Sequence, residues 1–201
     1  MTLKYLLVLD FEATCDESKF PRREMEIIEF PTILYDFSQD KVQATFHEYV
    51  RPLLHPTLTS FCTGLTGIKQ ETVDAADPFP QVWARFREFM ISHNLPSEPS
   101  SYAFVACGDW DLKTMLPLQL SLSAPDLPAP HMENMCNRWI NIKTEFRKQY
   151  GMNGKGMAGM LHRLRLKLEG RHHSGIDDCR NILRILQRMR ADGWEPPHSL
   201  G

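Results

Sequence analysis

The chain has 201 residues, a formal net charge of −2, 42% hydrophobic and 24% charged residues, which is the composition of one ordinary globular domain spanning residues 1–201. No run of about 18 apolar residues occurs, so a membrane-spanning helix is excluded, and the acidic residues that directly follow the first apolar stretch exclude a signal peptide. The slightly acidic balance argues against a general nucleic-acid coat protein, which would be basic, but leaves room for an enzyme that grips a few nucleotides through local charge and bound cations.

Residues 5–9 (YLLVL) form a short continuous apolar run, the pattern of a central strand buried on both faces. Residues 25–37 and 42–50 read as two further strands, and the polar stretch at 38–41 makes them a hairpin. Pro31 inside the first of these predicts a bulge or an edge position. Residues 58–68, with two glycines, read as a short helix or loop. Phe79, Val82, Phe86, Phe89, Met90 and His93 recur at helical spacing and predict an amphipathic helix over 79–93. A short buried strand is expected at 102–107, then a helix over 110–122 bent or broken at Pro117, with proline-rich loops at 95–101 and 124–130. Residues 139–142 read as a last strand, followed by helices near 143–150, 156–166 and 177–191. Strands first, then alternating helices and strands, predict an α/β fold with a mixed sheet covered by helices.

Three acidic stretches carry the candidate chemistry. Asp10 and Glu12 leave the first strand, and alternation sends both side chains to one face, where two close carboxylates repel unless a cation neutralises them. An oxygen-only, acid-rich cluster suits Mg²⁺ or Mn²⁺ and not zinc. Gly108-Asp109-Trp110-Asp111 follows the strand at 102–107, where α/β sheets bind ligands, and predicts one aspartate capping a helix while the other reaches a pocket. In the helix from 177, Asp178 falls on the apolar stripe of Ile182, Ile185, Leu186 and Met189, whereas Asp177 groups with Arg184 and Arg188. A carboxylate on a core-facing stripe is costly unless paired or metal-bound, so Asp178 is singled out. His172 and His173 precede it in a glycine-containing loop expected to swing over the pocket.

Asp10-Phe11-Glu12-Ala13-Thr14, Trp110-Asp111 and the His173-x-x-x-x-Asp178 spacing resemble the three motifs of the histidine-containing branch of the DEDD exonucleases (DEDDh). The stretches at 61–74, 107–116, 139–143 and 170–182 resemble the enhanced-RNAi and 3′ histone mRNA exonuclease family, and together the matches run over nearly the whole chain. The resemblance implies a ribonuclease H-like mixed sheet flanked by helices. It implies a 3′→5′ exoribonuclease that releases nucleoside 5′-monophosphates from RNA 3′ ends, with two Mg²⁺ or Mn²⁺ ions held by Asp10, Glu12, Asp111 and Asp178. His173 would be the general base, a role that suits an imidazole at neutral pH. It places Phe11, Ala13, Thr14, Leu65, Thr66 and His173 against the last nucleotide. Lys155, Arg163, Arg165, Lys167 and Arg171 would either follow phosphates or form a solvated face. Trp110 would stack on a base or pack in the core, and the sequence favours the core.

Family members often carry extra nucleic-acid-binding domains, so this chain is expected to be the catalytic domain alone, with substrate choice supplied by protein partners. The alternatives are a nuclease of DNA or very short oligonucleotides, or a weakly active RNA- or protein-binding module. Five cysteines, at 15, 62, 107, 136 and 179, show no CxxC pair and read as reduced thiols of a cytoplasmic or nuclear protein, with neither zinc site nor disulfide framework. Residues 154–159 spell GxGxxG but follow a charged helical stretch instead of a buried strand, so they predict only a loop entering a helix. His47, His55, His93 and His131 lack ligand spacing and read as surface residues.

Overall fold

The computed structural model describes residues 3–17, 22–95, 99–127 and 139–197. The sequence expectations for Cys136 and His131, and for parts of both proline-rich loops, lie outside the described residues. Strands β1 (Tyr5–Leu9), β2 (Glu12–Ala13), β3 (Ile27–Asp36) and β4 (Lys41–Tyr49) come first, then helices α1 (Ser60–Thr66), α2 (Gln70–Asp74) and α3 (Phe79–Ser92). Strand β5 (Tyr102–Ala106) leads into a π-helical turn at Trp110–Met115 and helix α4 (Leu116–Leu122). Strand β6 (Trp139–Asn141) and helices α5 (Ile142–Tyr150), α6 (Met157–Arg163) and α7 (Gly175–Ala191) complete the chain. No helix among the described residues is long and apolar enough to cross a membrane.

The strands form one mixed sheet. β1 lies between β3, antiparallel to it, and β5, parallel to it, while β6 extends the parallel half and β4 pairs with the far side of β3. The β1–β3 ladder runs from Tyr5↔Asp36 to Leu9↔Thr32 and resumes in the same register at Glu12↔Glu29, so β2 continues the line of β1 after a gap at Asp10 and Phe11. Pro31 lies opposite that gap and has no N–H to donate. The edge position expected for Pro31 is therefore corrected. β3 is an interior strand buried along its whole length, and Pro31 pairs in register with His47. The bulges fall instead between Glu12 and Ala13 and between Leu34 and Tyr35.

Alternation along β1 sorts its side chains into two cores. Leu6 and Val8 face the layer of α5, α6 and α7, while Leu7, Leu9, Phe11 and Ala13 face α3. On the α3 side Phe30 packs against Phe11, Phe46, Phe79, Trp83 and Phe86, with ring centroids 4.6 to 6.4 Å apart. On the other side Ile182, Ile185, Leu186 and Met189 of α7 are fully buried, each contributing about 1.5–3 kcal/mol. That burial fixes α7 across β3 and β1, and so fixes where its first turn arrives.

The glycines at 154–159 serve the loop-to-helix entry. A Cβ on Gly159 would stand 1.8 Å from the carbonyl oxygen of Gly154, and one on Gly154 would meet the Met160 side chain at 2.0 Å. Cys15, Cys62, Cys107 and Cys179 are free thiols.

Candidate active site

Continuing the alternation of β1 past Leu9 puts Asp10 and Glu12 on the α7 face. There they meet Asp178, with one carboxylate oxygen from each of the three residues within 4.8 Å of the others. Glu12 and Asp178 are buried, and Asp10 keeps part of its surface open. Asp111 arrives from the π-helical turn after β5, where the widened ring is closed by the Leu116 N–H donating to the Asp111 carbonyl. Its carboxylate is 4% exposed and its Oδ1 accepts from the Phe11 N–H at 2.8 Å, which ties the turn to the gap between β1 and β2. Asp109 does not cap the turn with its side chain as expected. It accepts from Asn141 Nδ2 at 2.9 Å and stays exposed, so the division between Asp109 and Asp111 is surface against site.

The first turn of α7 is held by a residue that the sequence pattern does not single out. Glu29 of β3 is 1% exposed, and its two carboxylate oxygens accept from the N–H groups of Gly175, at 2.9 Å, and Ile176, at 3.1 Å. Ser174, at the N-cap position, makes no side-chain cap, so a strand carboxylate satisfies the helix start from 146 residues away in sequence. His47 is at the surface as expected, and its Nε2 lies 2.9 Å from the same carboxylate, so a surface residue also supports Glu29. The one available signal for Glu29 is a lone acid inside the apolar stretch IIEFP.

Gly175 is required by close approach: a Cβ there would lie 2.6 Å from the carbonyl oxygen of Asp10 and 3.2 Å from Glu29 Cδ. This contact sets the first turn of α7 against the end of β1. The histidine loop expected to swing over the pocket is hydrogen-bonded here to this same turn. The His173 N–H donates to Asp178 Oδ2 at 3.0 Å, and His172 Nδ1 lies 3.0 Å from the same oxygen. The imidazoles stack 4.0 Å apart, and the left-handed backbone of His173 (φ 64°) is tolerated because these contacts over-determine it. Asp177, by contrast, accepts from the Arg171 N–H at 3.0 Å and from Arg180 at 2.9 Å, outside the carboxylate cluster.

The expected nucleotide contacts are unequal. The Phe11 ring and Ala13 are core, and the Thr14 hydroxyl accepts from the Glu26 N–H at 2.9 Å. The Thr66 hydroxyl donates to the Cys62 carbonyl at 2.9 Å, within α1. Leu65 is half-exposed. Trp110, expected in the core, is 39% exposed because the π-helical turn carries it outward while turning Asp111 in.

Burial drives the electrostatics. It pushes the Asp10 carboxyl well above its usual range, reinforced by Asp111, Asp178, Glu12 and Glu29, and pushes Glu12 up to about 9, reinforced first by Glu29. Asp111 rises to about 6 despite the Phe11 N–H. Asp178 also rises through burial, against the hydrogen bonds from His173 and His172. The His173 imidazole is lowered by burial and by neighbouring His172, which keeps it neutral near pH 7. A set of mostly buried carboxylate oxygens is the donor chemistry of a hard divalent ion.

A model of the RNase_T exonucleases matches residues 7–186. The chain belongs to the RNase_T exonuclease family. Within it, the chain is 42% identical to ERI1 exoribonuclease 3 of Homo sapiens over 94% of this chain and 55% of that protein. It is 33% identical to the 3′-5′ exonuclease eri1 of Schizosaccharomyces pombe over 96% of this chain and 70% of that protein. Among solved structures, the nuclease domain of 3′hExo, a DEDDh family member bound to rAMP, superposes with a TM-score of 0.85. It is 37% identical, covering 95% of this chain and 94% of that one. A 3′-exonuclease described in 3′-end specific recognition of the histone mRNA stem-loop superposes at 0.87, with 36% identity over 97% and 85% of the two chains. The chain spans about half the length of the first curated relatives it matches.

For this RNase_T member the raised carboxyls have a thermodynamic consequence. In the unfolded chain Glu12 and Asp111 release their protons at 4.5 and 3.8, but in the folded protein only near 9 and 6. Between those values the folded state holds protons that the unfolded state has lost, so raising the pH favours unfolding. Metal-free protein is therefore expected to melt at progressively lower temperature from about pH 5 to about pH 9. Added Mg²⁺ should raise the Tm more at the alkaline end. Scanning fluorimetry in EDTA and in Mg²⁺ checks this, and a Tm flat with pH in EDTA would contradict the site's electrostatics.

Proposed function

We propose that this protein is a metal-dependent 3′→5′ exoribonuclease that removes nucleoside 5′-monophosphates one at a time from RNA 3′ ends. The observation that carries the reading is the convergence of Asp10, Glu12 and Asp178 within 4.8 Å, beside buried Asp111 and under His173. The names of the relatives, exoribonucleases among them, support RNA as the substrate. Asp10, Glu12, Asp111 and Asp178 would hold two Mg²⁺ or Mn²⁺ ions, which supply charge neutralisation for the departing 3′ oxygen and acidify the attacking water.

The chain's own groups do the rest. His173, neutral because burial and His172 lower its pKa, takes the proton of the attacking water. Asp178 holds the His173 backbone through its Oδ2, so the base and the carboxylate cluster keep one geometry. Exposed Trp110 offers a stacking face beside Asp111, and half-exposed Leu65 an apolar contact for the last base. Protein partners would supply the choice among RNAs.

The test is 3′ trimming of 5′-labelled single-stranded RNA in Mg²⁺, with an EDTA control and a DNA strand of the same sequence beside it. Metal-dependent trimming of RNA to nucleoside 5′-monophosphates is the expected result. No trimming by the wild-type protein on any strand refutes the enzyme reading, and equal rates on DNA would mean that the 2′-OH is not read.

A further inference from the structure

After a turn at Leu164 and Arg165, residues 166–171 run alongside α7 from its middle to its start. Arg184 Nη1 donates to the Lys167 carbonyl at 2.7 Å, Asn181 Nδ2 to the Glu169 carbonyl at 2.8 Å, and the Arg171 N–H to Asp177 at 3.0 Å, while the Leu166 N–H donates back to the Leu161 carbonyl of α6. The rising numbers of the segment thus meet falling numbers of the helix, and the next residues are His172 and His173. Leu164 and Leu166 pack inward on the α7 core, while Arg165 and Lys167 between and beyond them, and Arg163 before them, are exposed.

The charges along this line do not cancel. Its carboxylates are already paired, Glu169 with Arg184, Asp177 with Arg180 and Asp192 with Arg188, each at 2.9 Å. Among the described residues Arg163, Arg165, Lys167 and Arg171 have no carboxylate side chain in a salt bridge. Arg171 instead donates its guanidinium to the carbonyls of Gly64 and Leu65 in α1, which joins the line to the proposed nucleotide contact at Leu65. On a chain of net charge −2 this is a local cationic strip. Its far end opens on a cavity of about 450 Å³ lined by Phe146, Tyr150, Arg163, Arg165 and the ion pair of Arg188 with Asp192, among others, so Arg163 and Arg165 are its guanidinium groups without a carboxylate partner among the described residues. That combination offers apolar and aromatic surface for a base and guanidinium groups for a phosphate. Lys155 precedes α6, at the other end of that helix from Arg163, and is outside the line.

We propose that residues 163–171, with the cavity at their far end, form a second binding site for the sugar-phosphate backbone of single-stranded RNA upstream of the cleaved bond. The proposal rests on the exoribonuclease reading for the direction of the strand. From Asp178 to Arg188 the helix rises about 15 Å, which is about four stacked nucleotides at roughly 3.4 Å each. Substrates shorter than this leave the strip empty, and longer ones neutralise it.

The experiment compares the wild type with the Arg163→Glu/Arg165→Glu double variant on a dinucleotide and on an RNA longer than the strip. The KM for the long RNA, taken relative to the KM for the dinucleotide, should rise about tenfold, with a shallower dependence of KM on salt. An unchanged ratio overturns the proposal. The milder Arg163→Gln/Arg165→Gln variant should raise the same ratio about threefold, and it replaces the first variant if charge reversal impairs folding, read from the melting curve. Binding of fluorescein-labelled oligouridylate in EDTA, followed by anisotropy, reads the site without catalysis. If the wild type binds and the variants bind less tightly, the site stands even when no trimming occurs and the enzyme reading alone fails. Equal affinity, or no binding by the wild type, overturns it.

Discussion

Asp178→Asn is expected to lower the rate of 3′ trimming by about a thousandfold or more, while Asp177→Asn costs less than about tenfold. The two side chains are neighbours in sequence with the same chemistry, and only their environments differ. Asp178 is 3% exposed, shares the carboxylate cluster with Asp10 and Glu12, and accepts the His173 N–H. On the proposed function, losing its charge would remove a metal ligand and about 4 kcal/mol of transition-state stabilisation, which converts to the stated factor. Asp177 accepts from the Arg171 N–H and from Arg180, and an asparagine keeps an acceptor for the first of these. The thermal shift produced by Mg²⁺ is the second readout: it should shrink in Asp178→Asn and persist in Asp177→Asn. Comparable loss of rate in both variants would place the metal site elsewhere.

His173→Ala is expected to lower kcat by between about a hundredfold and ten-thousandfold, the usual contribution of a general base. The Mg²⁺-induced rise in Tm should survive, because the carboxylate cluster is intact. His172→Ala should cost only about tenfold, as a group whose Nδ1 supports the Asp178 carboxylate. The pH profile gives an independent reading. His173 is lowered by burial and by His172, so activity should fall in acid with a midpoint below the ordinary imidazole value of about 6.5. Equal losses at the two histidines would exchange their roles, and an acid limb unmoved by His173→Ala would exclude it as the base.

The contrast between Asp178 and Asp177 is legible in the amino-acid sequence itself. The period of two in β1 assigns Asp10 and Glu12 to one face, and the period of 3.6 in α7 puts Asp178 on the buried stripe and Asp177 off it. Those assignments need only local geometry, because a side chain's direction follows from its place in a regular element. The strand and helix order is readable for the same reason, apart from short elements such as α2 and β2, whose few residues carry no periodicity. Pro31 misleads because a proline within a strand is usually on an edge. Here β3 is interior, and the missing N–H falls opposite the gap that frees Asp10.

What the sequence alone determined, then, is the class of fold and the pair of patterned elements that aim carboxylates at one place. The names of the chemistry and of the RNA substrate came from resemblance. The tertiary structure decided what depends on distant partners. Glu29 caps α7 from across the sheet, Gly175 lets the helix start within contact of the Asp10 carbonyl, and a π-helical turn brings Asp111 in while carrying Trp110 out. A long-range hydrogen bond or a close backbone approach leaves no period in the chain, because its two halves are ordered only after both elements have packed.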